Sequence, residues 1–78
     1  MSRVTDLERS IRESYSLIRE YEDILRLSDR PKERLRARRE IEEQWGLVEG
    51  YLDEYSALAG DDLPQDVDQA RRRAQSWR

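Results

Sequence analysis

Apolar residues recur along this chain at steps of three and four, a spacing that predicts helices. Val4, Leu7, Ile11, Ile18, Tyr21 and Leu25 form the first such stripe, with Ser14 filling one slot. Leu17 and Ile24 widen it on one flank and Tyr15 on the other. A stripe this broad exceeds a two-stranded seam and suits a helix with two neighbours. No Gly or Pro interrupts it, so a helix over about 4–27 is expected. Thr5 and Glu8 have the spacing of a capping box, and Ser2 is the rival start.

Ser28-Asp29-Arg30-Pro31 reads as a turn, because Pro31 disfavours helical geometry at Arg30 and suits the first position of a new helix. So short a connection forces the next helix to run antiparallel. That helix spans about 31–59, about 43 Å at 1.5 Å per residue. Ile41, Trp45, Val48, Leu52, Tyr55 and Ala59 carry its stripe, and Ala37, Tyr51 and Leu58 broaden it. Gly60 is a natural C-cap. Leu63, Val67, Ala70, Ala74 and Trp77 then repeat the three-four rhythm over about 63–77. Aspartates precede this segment's basic run Arg71-Arg72-Arg73, the polarity a helix macrodipole favours.

The expected fold is therefore all-α: a long antiparallel hairpin with a short third helix, and a three-helix bundle if that helix docks. Residues 1–78 form one domain, with 4–60 as the hairpin core and 61–78 as a short helix or the start of a linker. The expected core is Leu7, Ile11, Ile18, Tyr21 and Leu25 from the first helix, facing Ile41, Trp45, Val48, Leu52 and Tyr55 from the second.

Composition narrows the chemistry. The 78 residues include no Cys and no His, which removes disulfides, the usual zinc sites, the thiol nucleophile and the commonest general base. At this size one core supplies roughly 3–5 kcal/mol, so packed helices or self-association must do the rest. Charged residues are 42% of the chain, but their signs are interspersed and the net charge is only -3. No apolar run approaches the roughly 18 residues of a membrane span. No signal peptide is visible, so a cytoplasmic protein is expected. No enzyme is expected either, and no catalytic, cofactor-binding or metal residues stand out. There is no phosphate-cradling Gly-rich loop, and the carboxylates alternate with Arg on predicted surface faces. Arg36/Glu40, Arg38/Glu42, Arg39/Glu43, Glu8/Arg12 and Glu22/Arg26 have the spacing of helix-surface pairs.

Two features bear on binding. The run from Arg30 to Arg39 holds six basic residues and suggests a nucleic-acid face. The plainer reading sets it against Glu20, Glu22, Asp23 and the negative end of the first helix. The second feature is Gly46-Leu47-Val48-Glu49-Gly50. Each mid-helix glycine costs about 1 kcal/mol against Ala, and together they leave a smooth strip with Leu47 beside it. The strip is either tolerated drift or a face that docks the third helix or a second chain. Candidate interface residues are Tyr15, Gly46, Leu47, Gly50, Tyr51 and Trp77; the tyrosines suit an edge where a hydroxyl stays wet.

The segment from Ile18 to Glu43, which contains Tyr-Glu-Asp-Ile-Leu-Arg-Leu-Ser-Asp-Arg-Pro-Lys-Glu-Arg-Leu, resembles short helical effector-associated or adaptor modules of bacterial conflict and signalling proteins. Such modules sit beside caspase-like, TIR, NACHT or related STAND domains. Two long helices depart from the six short ones of a death fold, so a hairpin adaptor is what the resemblance implies. It implies association that brings effectors together, with no catalytic residues to carry over. The expected function is thus a non-catalytic protein–protein interaction module, forming a homodimer or pairing with a like helical module. The alternatives are a small nucleic-acid-associated regulator using the Arg30–Arg39 face, or a passive spacer. No cofactor, membrane or small-molecule substrate is expected.

Overall fold

A computed structural model describes residues 2–77 as three helices: α1 (Arg3–Leu27), α2 (Pro31–Ala59) and α3 (Gln65–Ser76). The α1 N-cap is Ser2, whose Oγ accepts from the Thr5 backbone N–H at 3.2 Å. Thr5 is therefore inside the helix, and the capping box expected at Thr5 and Glu8 does not form. Its Oγ1 lies 2.9 Å from the Ser2 hydroxyl instead. Pro31 opens α2 as the turn chemistry requires, and Gly60 ends it in a positive-φ conformation (φ 75°) that costs other residues strain. α3 begins two residues later than the periodicity suggests, because Pro64 is its N-cap and Leu63 lies before it. Leu63 still packs against the core from outside the helix.

The third helix docks, which resolves the choice between bundle and linker. It follows the hairpin from its open end to its middle. Arg12 of α1 donates to Asp66 near the start of α3, and Arg73 of α3 donates to Glu22 further along α1. Val67, Ala70 and Ala74 face inward and join Ile11, Ile18, Trp45, Val48 and Leu52 in one core. Small side chains on α3 let it sit close over the larger ones of the hairpin. Ser14, the polar residue in the α1 stripe, is 6% exposed; Ala37 of α2 is buried too.

α3 is too short to reach the turn end. There the hairpin has only two helices, and Tyr21, Leu25 and Ile41 are half-buried instead of fully enclosed. The other seven expected core residues are buried. Two helices cannot enclose a stripe that three can, which accounts for the difference.

Candidate functional site

A groove between α2 and α3 is lined by Glu49, Asp53, Asp61 and Arg71, and another between α1 and α3 by Arg12, Tyr15, Asp23 and Asp66. Among the described residues no three carboxylates come together in a way that would hold a metal ion, and no helix is long and apolar enough to cross a membrane. The faces of the molecule differ sharply.

The flank of Tyr15 is occupied. Trp77 stacks on Trp45 with ring centroids 6.4 Å apart and planes 16° apart, and its indole N–H donates to Glu49 Oε1 at 2.9 Å. Tyr15 meets the same Trp45 ring at 6.2 Å, tilted by 49°. The Arg73 guanidinium lies 5.5 Å from both the Tyr15 and the Trp45 ring centroids and donates to both Glu22 carboxylate oxygens. Glu22, foremost, and Tyr15 hold the Arg73 guanidinium protonated beyond its ordinary range, against the opposing effect of burial. Tyr15 and Trp77, two candidates for an interface, are thus engaged within the chain. They fasten α3 to the hairpin. Tyr51 is half-buried and also packs on the core.

The remaining candidates are open. Leu47 is 46% exposed, and Gly46 and Gly50 are exposed. A Cβ built on either glycine would have nothing within 4 Å, so α3 does not dock there. The buried α2 positions Ala37, Trp45, Val48, Leu52 and Tyr55 define the opposite side of the helix. At 3.6 residues per turn this places Gly46 and Gly50 on the face turned away from the core.

The charges on α2 were only partly legible. Of the five expected helix-surface pairs, one forms: Arg12–Glu8 at 3.8 Å. Glu22 goes to Arg73, and Arg26 goes to Asp23. Arg36/Glu40, Arg38/Glu42 and Arg39/Glu43 do not close. Each has Arg preceding Glu, the weaker orientation for such pairs. Nor does the basic run as a whole meet α1. Arg34 does, donating to the carbonyls of Leu25 and Ser28 and so capping the α1 C-terminus. Arg30 pairs with Glu33 at 3.4 Å. Lys32, Arg36, Arg38 and Arg39 have no acidic partner among the described residues and are exposed.

At the open end the ion pairs link elements. Arg3 donates to both carboxylate oxygens of Glu54 at 2.9 and 2.7 Å, tying α1 to α2. Tyr55, 2% exposed, donates to Glu8 Oε1 at 2.8 Å. Compared with known proteins, the chain matches no family model, no curated protein and no solved structure.

Proposed function

We propose that this domain is a non-catalytic protein–protein interaction module that associates with a second copy or a like helical module. The observation that supports this reading is the uneven cover of the hairpin. α3 encloses the Tyr15 flank, while on the other flank and beside it Leu17, Ile24, Leu47 and Leu58 stand 37–55% exposed. Leu17 and Ile24 are seven residues apart, two helical turns, and so share a side of α1. Large aliphatic side chains left in water on one side of so small a domain mark a contact surface. On the resemblance to effector-associated modules, the bodies brought together would be effector domains.

The test is a set of polar replacements on that side. Leu17→Gln, Leu47→Gln and Leu58→Gln remove exposed apolar area and no core contact. Each should leave helix content and melting temperature close to the parent's, and at least one should lower the association seen by light scattering. Unchanged association in all three variants contradicts the reading. The nucleic-acid alternative draws on the unpaired Lys32, Arg36, Arg38 and Arg39. It predicts binding to DNA or RNA that weakens steeply with salt.

A further inference from the structure

The charge order along α2 runs against its own helix. From Arg30 to Arg39 there are six basic residues and one acid; from Glu40 to Asp62 there are eight acids and no Lys or Arg. A helix dipole favours the reverse, with acids at the N-terminus and bases at the C-terminus. Contacts within the chain account for part of the pattern: Arg34 caps α1, Glu54 holds Arg3, and Glu49 accepts from Trp77. They leave Lys32, Arg36, Arg38 and Arg39 without acids at one end, and Glu42, Glu43 and Asp53 without bases further along, among the described residues.

Two of the unpaired groups, Arg39 and Asp53, are placed symmetrically about Gly46. Lys32, Arg39, Gly46 and Asp53 recur every seven residues and so fall on one face, the one turned away from the core. Arg39 lies seven residues before Gly46 and Asp53 seven after it, about 10 Å along the axis in either direction. Lys32 lies fourteen before it on the same row, while Asp61 lies beyond the end of α2 and lines the groove against α3. The basic end of this row therefore complements its acidic end, read in the opposite direction, through Arg39 and Asp53. Gly46 and Gly50 lie near its middle, where no side chain of the chain approaches.

We infer that the outward face of α2 packs antiparallel against the same face of a second copy, about a two-fold axis near Gly46. This rests on the interaction-module reading and names its partner. The axis makes the contact isologous, so each favourable pair occurs twice. Arg39 of each copy meets Asp53 of the other. Glu43 falls beside the other's Gly50, which offers no side chain to oppose it. The absence of side chains at Gly46 and Gly50 lets the two backbones approach, and Leu47 fills the margin of the strip. A parallel arrangement would set bases on bases and acids on acids, so the charge order selects the antiparallel one.

Charge reversal in the full chain tests this. Arg39→Glu and Asp53→Arg each place like charges opposite one another in a homodimer, and each should weaken self-association by about tenfold or more in sedimentation equilibrium. When the two variants are mixed, each of the two symmetry-related contacts again joins an acid to a base. The mixture should therefore associate about as well as the parent. Because the chain has no cysteine, Gly46→Cys should form a copy-to-copy disulfide under mild oxidation, whereas Leu27→Cys at the turn end should not. Circular dichroism confirms that each variant is folded. A parent that associates while both single variants associate equally well, with Gly46→Cys no more cross-linked than Leu27→Cys, overturns the α2 pairing and leaves the interaction-module reading standing. Loss in both variants without recovery in the mixture overturns it as well. A parent that stays monomeric at every concentration overturns both.

Discussion

Trp77 at the C-terminal end of α3 stacks on Trp45 in the middle of α2, so that end of α3 closes over the centre of the hairpin. The two rings differ in burial: Trp45 is 2% exposed and Trp77 is half-buried. Trp45→Ala should cost about 3–5 kcal/mol, the usual range for a buried Trp, and approach the whole stability of a domain this small. Trp77→Ala should cost less, about 1–2 kcal/mol, because part of that ring already faces water. Urea unfolding curves on both variants check the order.

Arg73 joins the aromatic cluster to the Glu22 carboxylate through two parallel hydrogen bonds. Lysine keeps the charge but not the fork or the flat guanidinium face that lies near Tyr15 and Trp45. Arg73→Lys should therefore lower stability by about 1 kcal/mol. A double-mutant cycle with Glu22→Gln should give a coupling of the same order, discounted because both side chains are more than a third exposed. A coupling indistinguishable from zero would mean that the Arg73–Glu22 pair does not help to hold α3.

Stability should fall at both ends of the pH scale for identifiable reasons. Hydrogen bonding from Arg12 holds the Asp66 carboxyl below its ordinary range, and Arg3 does the same for Glu54. A depressed folded-state value stabilises above the unfolded pKa, and that contribution is lost as pH falls through the folded one. The melting temperature should thus drop below about pH 4, and Asp66→Asn should flatten that limb. Tyr55 shifts the other way: burial first, then the bond to Glu8, raise its hydroxyl. Its contribution is complete below the unfolded value of about 10 and is lost as pH rises through the folded one, so Tyr55→Phe should flatten the alkaline limb.

Gly46 and Gly50 separate folding from association. Within one copy a methyl at either position meets nothing. Helix propensity then predicts a gain of about 1–2 kcal/mol for Gly46→Ala/Gly50→Ala. Between copies the same methyl groups hold the backbones apart. The double variant should melt higher at dilution and associate more weakly than the parent. A variant that is more stable and associates as well as the parent would show that this strip contacts nothing.

Much of the fold is visible in the apolar spacing. The stripes through Leu7–Ile18 and Trp45–Tyr55 fix both long helices, and Pro31 and Gly60 mark their ends. Where α3 lies is not visible there, since Val67, Ala70 and Ala74 could equally have faced a second chain. That placement is set by Arg12–Asp66, Arg73–Glu22 and Trp77–Glu49, contacts between residues far apart in sequence that no local rule anticipates. The same blindness accounts for Tyr15, a flank aromatic that suits an interface until α3 covers it, and for Trp77, which α3 itself carries onto Trp45. For Glu22, helix spacing offered Arg26 as partner; a bidentate arginine from α3 takes it instead. A cue to Arg73 did exist, because α3 places it one turn before Trp77, on the side that faces the α1 flank. The glycines at 46 and 50 mark the strip in the sequence, but whether α3, a second chain or nothing lies against it is not legible there; the structure leaves it exposed to solvent within one copy.

Sedimentation velocity on the unmodified chain, across a concentration series from low to high micromolar, tests the central claim most directly. The account predicts a reversible, concentration-dependent shift from the 9.4 kDa monomer to a species of twice that mass, weakening as salt screens the Arg39–Asp53 pairs. A single 9.4 kDa species at every concentration and at low salt would contradict it.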